Sequence, residues 1–225
     1  MKLYTFKSDV VATLLIFGYV LIWIAISEFT ARSEKMSKED SRKLLHIMVG
    51  NVVFFLPFFS TWIVAVLVPA FFILGNYLMS PHSPIEILRM KTFEAGHTNG
   101  TIFYAISLTI LVAVFFNNLQ LLFASFLPLA YGDGLAATVG VRATTGIFQG
   151  VGGKKSVNGT IALFVGSVMS VYLGLLVFSI NSILLALIVG ILAVILELTS
   201  PRGLDNLVIP LGLAVILIFI YPLII

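Results

Sequence analysis

The chain has 225 residues, of which 60% are hydrophobic and only 10% charged, with 19 Phe and no Cys. A mean hydropathy of +1.12 excludes an ordinary soluble domain, and the lack of cysteine excludes a disulfide framework or a thiolate metal site. The formal net charge is a modest +3, and no nucleic-acid partner is expected.

A transmembrane helix needs about 20 mostly apolar residues. Eight such runs follow one another, roughly 9–29, 43–59, 61–79, 99–117, 119–141, 158–179, 181–199 and 206–225. The first, with its apolar stretch Val10 to Ile26, is too long for a signal-peptide core and is read as a retained span. The second is short and interrupted by Gly50, Asn51 and Pro57. The expected fold is therefore an all-α polytopic membrane helix bundle of about eight transmembrane helices, one transmembrane domain over residues 1–225.

Positive charge sets the orientation, because cytoplasmic loops carry the excess of Lys and Arg. Arg32, Lys35, Lys38, Arg42 and Lys43 follow the first run, Arg89 and Lys91 the third, Arg142, Lys154 and Lys155 the fifth, and Arg202 the seventh. The connections around Ser60, Asn118 and Asn181 are short and uncharged. Both termini are then expected outside, and Glu28, His46, Glu86, Glu94, His97, Glu197 and Asp205 fall near the cytoplasmic face. Asp133 lies deeper, nine residues before Arg142, or about 13 Å at 1.5 Å per residue.

Five stretches carry chemistry. A carboxylate within a span costs at least about 2.5 kcal/mol, so Asp133 is expected to face the bundle interior with a partner. Gly132 and Gly134 beside it let a ligand or another helix approach the backbone. The loop "GIFQGVGGKKSVNGT", 146–160, joins glycines to Lys154 and Lys155 and runs into a helix start near Asn158 to Thr160. Curled backbone N–H groups, two cations and a helix N-terminus are the parts of a phosphate cradle, although the Walker spacing fails. Asn-Gly-Thr recurs at Asn99 and at Asn158, each time at the entry to a span, either as a faint repeat or as two helix caps. "ELTSPRGLDNLVIP", 197–210, keeps Glu197, Asp205 and Asn206 at a break between spans, where carboxylates with an amide suit Mg²⁺. Finally, Arg42 and His46 stand four apart on one helix face, where they can meet a phosphate or a hydroxyl.

In this order "RKLLH", "GDGLAATVG", "KKSVNGTIA" and "DNLVIP" resemble the CTP-dependent lipid-alcohol kinases: the dolichol, phytol and yeast-type diacylglycerol kinase family. The resemblance spans 42–210 and is strongest at Gly132-Asp133-Gly134 with Lys155-Ser156 and Gly159-Thr160. It implies transfer of the terminal phosphoryl group of CTP to a membrane lipid alcohol of polyprenol, phytol or diacylglycerol type, with a divalent cation. Phosphoryl transfer needs charge neutralisation and alignment more than covalent chemistry. On that reading Asp133 and Asp205 hold Mg²⁺, and Lys154 or Lys155 with Ser156, Asn158, Gly159 and Thr160 take the triphosphate. Glu197 or His46 orients or deprotonates the alcohol, and Arg42 steadies the moving phosphate. The active site is expected to face the cytoplasm. Two rivals remain: cytidylyl transfer onto a lipid phosphate, and a cation-coupled transporter using Asp133 and Asp205 as ion sites.

Overall fold

The computed structural model describes residues 7–94, 99–201 and 203–225; His97 and Arg202 lie outside them, as do the opening residues of the 96–107 stretch. Among the described residues five helices are long and apolar enough to cross a membrane, and two shorter apolar helices accompany them. The chain divides into two compact units, Lys2–Phe116 and Asn117–Ile225.

In the N-terminal unit α1 (Asp9–Arg32) is capped by Ser8 and opens with Asp9. The Asp9 carboxylate accepts hydrogen bonds from Ser60 N at 2.8 Å, Thr61 N at 3.0 Å and Thr61 Oγ1 at 2.5 Å, which fastens the head of α1 to that of α3 (Trp62–Met79). α3 packs along α4 (Gly100–Phe115). One face of α1, with Ala12, Ile16, Val20 and Ile24 at four-residue spacing, is buried, whereas Val10, Leu14, Leu21 and Ile22 point outward. Outward apolar side chains are what a lipid environment accepts.

The run expected as a second span, 43–59, is not one α-helix. α2 (Lys38–Gly50) begins five residues earlier than that run, because Ser37 caps it by accepting from Asp40 N at 3.0 Å and Glu39 and Asp40 fill the first turn. At Gly50 the chain tightens into a 3-10 helix, Asn51–Phe58. Asn51 Nδ2 donates to Tyr19 Oη (2.9 Å) and to the Met48 carbonyl (3.1 Å), stitching the junction to α1, and Pro57 prevents a return to α-helix.

The C-terminal unit is built around α7 (Val157–Leu176), which packs against α5 (Leu119–Leu127), α6 (Gly134–Gly140) and α8 (Ile183–Thr199). α9 (Asp205–Ile224) packs against α5 and α8. Between α5 and α6 the helix opens into a π turn, Pro128–Asp133. Pro128 cannot donate the bond of a regular turn and crowds the carbonyl four residues back, so it sits where the α pattern fails. Among the described residues, strand structure is confined to a hairpin, β1 (Ile147–Gly150) antiparallel to β2 (Gly153–Ser156), joined by the two residues Val151 and Gly152. Gly153 adopts φ +128°, a conformation open to glycine.

Candidate functional site

Asp133 ends the π turn and is 6% exposed. Wide turns of this kind recur at functional positions, where they re-aim a side chain out of the regular helical pattern. The flanking glycines serve the fold in a definite way. A Cβ on Gly132 would run into Ser167 Oγ and lie 3.0 Å from the Leu163 carbonyl, and Gly166 of α7 brings its own face to within reach of Gly132 Cα and Tyr131 O. Farther along, Gly159 meets the Ala136 carbonyl and Gly140 in the same fashion. A ladder of glycines therefore lets α7 lie directly on the π turn and α6, as small residues do in membrane bundles. Gly134, also buried, opens α6.

The segment expected to be a glycine-rich loop is the hairpin. Its strand alternation gives the two lysines different surroundings: Lys154 is exposed, whereas Lys155 turns inward and forms an ion pair with Glu197. Glu197 sits near the end of α8 with its side chain 7% exposed. The Val151 N–H donates to the Leu198 carbonyl at 3.2 Å, so the hairpin tip is anchored to the same helix end. At the base, Val157 N donates to Gly146 O at 3.0 Å. Ser156 caps α7, its Oγ accepting from Gly159 N at 3.1 Å. The cap therefore lies two residues before Asn158, which is exposed in the first turn beside half-buried Thr160.

Asp133 and Asp205 both lie within electrostatic reach of Glu197. Asp205 is the first residue of α9 and accepts from the N–H of Asn206 at 3.0 Å, while Asn206 is buried. The C-terminal unit thus brings together Asp133, Lys155, Ser156, Glu197 and Asp205. Among the described residues no three His, Cys, Asp or Glu side chains stand close enough to cage a metal ion. One or two carboxylates with open positions are what Mg²⁺ ordinarily takes when substrate phosphates and waters complete its shell. Asp133 and Asp205 fit that pattern.

The remaining expected residues lie in the N-terminal unit. Asn99 occupies the cap position of α4 without a side-chain capping bond, whereas Asn158 lies inside α7, so the two Asn-Gly-Thr stretches are not structurally equivalent. Arg42 forms an ion pair with Glu39 at 2.5 Å, and His46 packs edge-on to Tyr104 with ring centroids 4.5 Å apart. Tyr104 Oη donates to the His46 carbonyl at 3.1 Å. Arg42 and His46 both line a cavity whose other walls are largely apolar. Glu28 holds the fold together, since it accepts from Lys91 N, Thr92 N and Thr92 Oγ1 and pairs with Arg32.

The C-terminal unit thus holds a buried aspartate and a lysine–glutamate ion pair in an apolar bundle. Known proteins give the family. The chain is 34% identical to a phytol kinase of Synechocystis sp. over 200 residues, 86% of this chain and 84% of that one. It is 26% identical over 180 residues to the Glycine max protein named "Probable phytol kinase 3, chloroplastic", covering 75% of this chain and 54% of that one. No family model matches the chain, and no solved structure does. At that identity and coverage, the chain belongs to the polyprenol and phytol kinase family.

Proposed function

We propose that the protein is an integral membrane kinase that transfers the terminal phosphoryl group of CTP to the hydroxyl of a lipid alcohol of polyprenol, phytol or diacylglycerol type. The observation that carries this reading is the Lys155–Glu197 pair beside the head of α7, with buried Asp133 and the α9 N-terminal Asp205 within electrostatic reach of Glu197. Lys155 is held by Glu197 in a fixed place, where its charge attracts a phosphate oxygen without a search through side-chain rotamers. The start of α7 adds the positive end of a helix dipole. Mg²⁺, with Asp133 and Asp205 as its protein partners, supplies neutralisation of the charge shared between phosphates. Exposed Lys154 and Asn158 draw the nucleotide in from the cytoplasmic side, and Lys155, still steadied by Glu197, turns its remaining N–H donors to the triphosphate as it arrives.

The test is direct. Purified protein in nanodiscs is given Mg²⁺, γ-labelled CTP or ATP, and phytol, geranylgeraniol or diacylglycerol, and the lipid fraction is assayed for label. The expected products are labelled lipid phosphate and CDP. Pyrophosphate with a CDP-lipid would assign the chain to cytidylyl transfer instead. Asp133→Asn should lower turnover by more than about 10²-fold, by analogy with loss of other groups that stabilise a transition state, at unchanged thermal stability. Near-normal turnover would reduce Asp133 to a packing residue.

A further inference from the structure

The cavity of the N-terminal unit has a consistent direction. Its walls are contributed by α1, by α2 with the following 3-10 helix, by α3 and by α4. Proceeding along α1 from Ile16 to Ile24, along α3 from Val68 to Asn76, and backward along α4 from Leu108 to Thr101 leads to the same end, where Arg42 and His46 stand. That end is polar; the opposite one, at Ile16, Leu56 and Leu108, is wholly apolar. The slot extends about 10–12 Å along α1 and α4 at 1.5 Å per residue. Within the polar end Thr101 Oγ1 is buried with no hydrogen-bond partner among the described residues. A buried hydroxyl without a partner calls for an explanation, and a ligand that brings its own hydroxyl provides one.

The geometry points to this slot as the seat of the alcohol: the isoprenoid chain nearest the hydroxyl lies between α1 and α4, and the hydroxyl itself bonds to Thr101 Oγ1 beside Arg42 and His46. The inference rests on the lipid-alcohol reading above and adds where and how the acceptor is held. An acyl chain of a bilayer lipid fills the apolar end equally well but leaves Thr101 without a partner, which favours the alcohol. Because the slot is much shorter than a membrane span, it grips only the first part of the chain. Each methylene buried there is worth roughly fourfold in affinity, and lengthening beyond the slot adds little.

A diazirine-bearing geranylgeraniol is photolysed on the full-length protein in nanodiscs without nucleotide, and the adducts are mapped by mass spectrometry. Adducts on Ile16, Val20, Ala105 or Leu108, displaced by unlabelled geranylgeraniol and not by excess dioleoylphosphatidylcholine, are expected. Adducts confined to the outward residues Leu14, Leu21 and Val114, or equal displacement by the phospholipid, would overturn the assignment. Thr101→Val keeps the shape and removes the hydroxyl. It should weaken binding of tritiated geranylgeraniol about 2- to 10-fold while leaving the hydrocarbon of the same skeleton unaffected; equal effects on both ligands would refute the hydroxyl contact. Ala105→Phe should fill the slot and abolish binding, with Val114→Phe on the outer face as the control. Wild-type protein that phosphorylates geranylgeraniol with a KM indifferent to Ala105→Phe sinks the slot alone. Wild-type protein that binds the alcohol in the slot but phosphorylates no alcohol sinks the kinase reading alone.

Discussion

Gly132→Ala adds one methyl group at the closest approach between the π turn and α7. The new carbon would collide with Ser167 Oγ and sit 3.0 Å from the Leu163 carbonyl oxygen, a backbone atom that cannot move aside alone. Overpacking of this sort costs about 1–3 kcal/mol. Against it stands the better helix propensity of alanine, worth about 1 kcal/mol. The net expectation is a loss of roughly 0–2 kcal/mol, with α7 pushed away from Asp133. Ser167 Oγ is itself buried without a hydrogen-bond partner among the described residues, so Ser167→Ala should be neutral or slightly stabilising. In that background the worst contact is gone, and the cost of Gly132→Ala should fall by about 1 kcal/mol or more, within the range of coupling seen for touching residues. SDS-induced unfolding in mixed micelles measures all four members of this cycle. Kinase assays on the same samples should show turnover falling in Gly132→Ala and recovering in the double variant, since small displacements at a reacting centre are costly. Additivity of the two substitutions to within about 0.3 kcal/mol would refute the claim that these atoms set the spacing of α7.

The two lysines of the hairpin should separate cleanly. Lys155→Gln leaves Glu197 without its partner and should lower both thermal stability and nucleotide affinity; Lys154→Gln should leave stability within about 0.5 kcal/mol of wild type and weaken nucleotide binding only modestly. A titration of nucleotide that gives identical affinities for wild type and Lys155→Gln would remove the hairpin from the phosphate site. Orientation is checked with an impermeant thiol reagent on intact cells: Asn117→Cys and Asn181→Cys, both exposed, should label, and Lys154→Cys should not. Labelling of Lys154→Cys alone would invert the topology and put the hairpin outside.

Hydropathy made seven of the helical segments legible to within a few residues at most ends, because long apolar runs bounded by Ser, Asn and Pro carry both the helix and its limits. It failed over 38–58, where the helix starts in the polar stretch Lys38-Glu39-Asp40 that a scan for apolar residues passes over. The Ser37 cap three residues before Asp40 was the available signal. The hairpin was hidden by glycine and lysine, although two short segments separated by two residues carry a hairpin spacing. For the site, Asp133, Lys155, Glu197 and Asp205 were readable as charges that an apolar chain does not keep idly. Their pairing was not, since only strand alternation decides which lysine meets Glu197. Thr101 escaped notice because its significance comes from burial without a partner, and no sequence pattern records that.

The glycine ladder also has a mechanical consequence. Where side chains separate two helices, rotamer changes can absorb a displacement; where backbones touch, as at Gly132 with α7 and Gly159 with α6, nothing lies between them to yield. Ser156 ties the hairpin to the head of that same α7. With the hairpin tied to α7 and α7 seated backbone to backbone on the π turn that carries Asp133, the cation and the carboxylate keep their spacing while the bilayer around them stretches or thins.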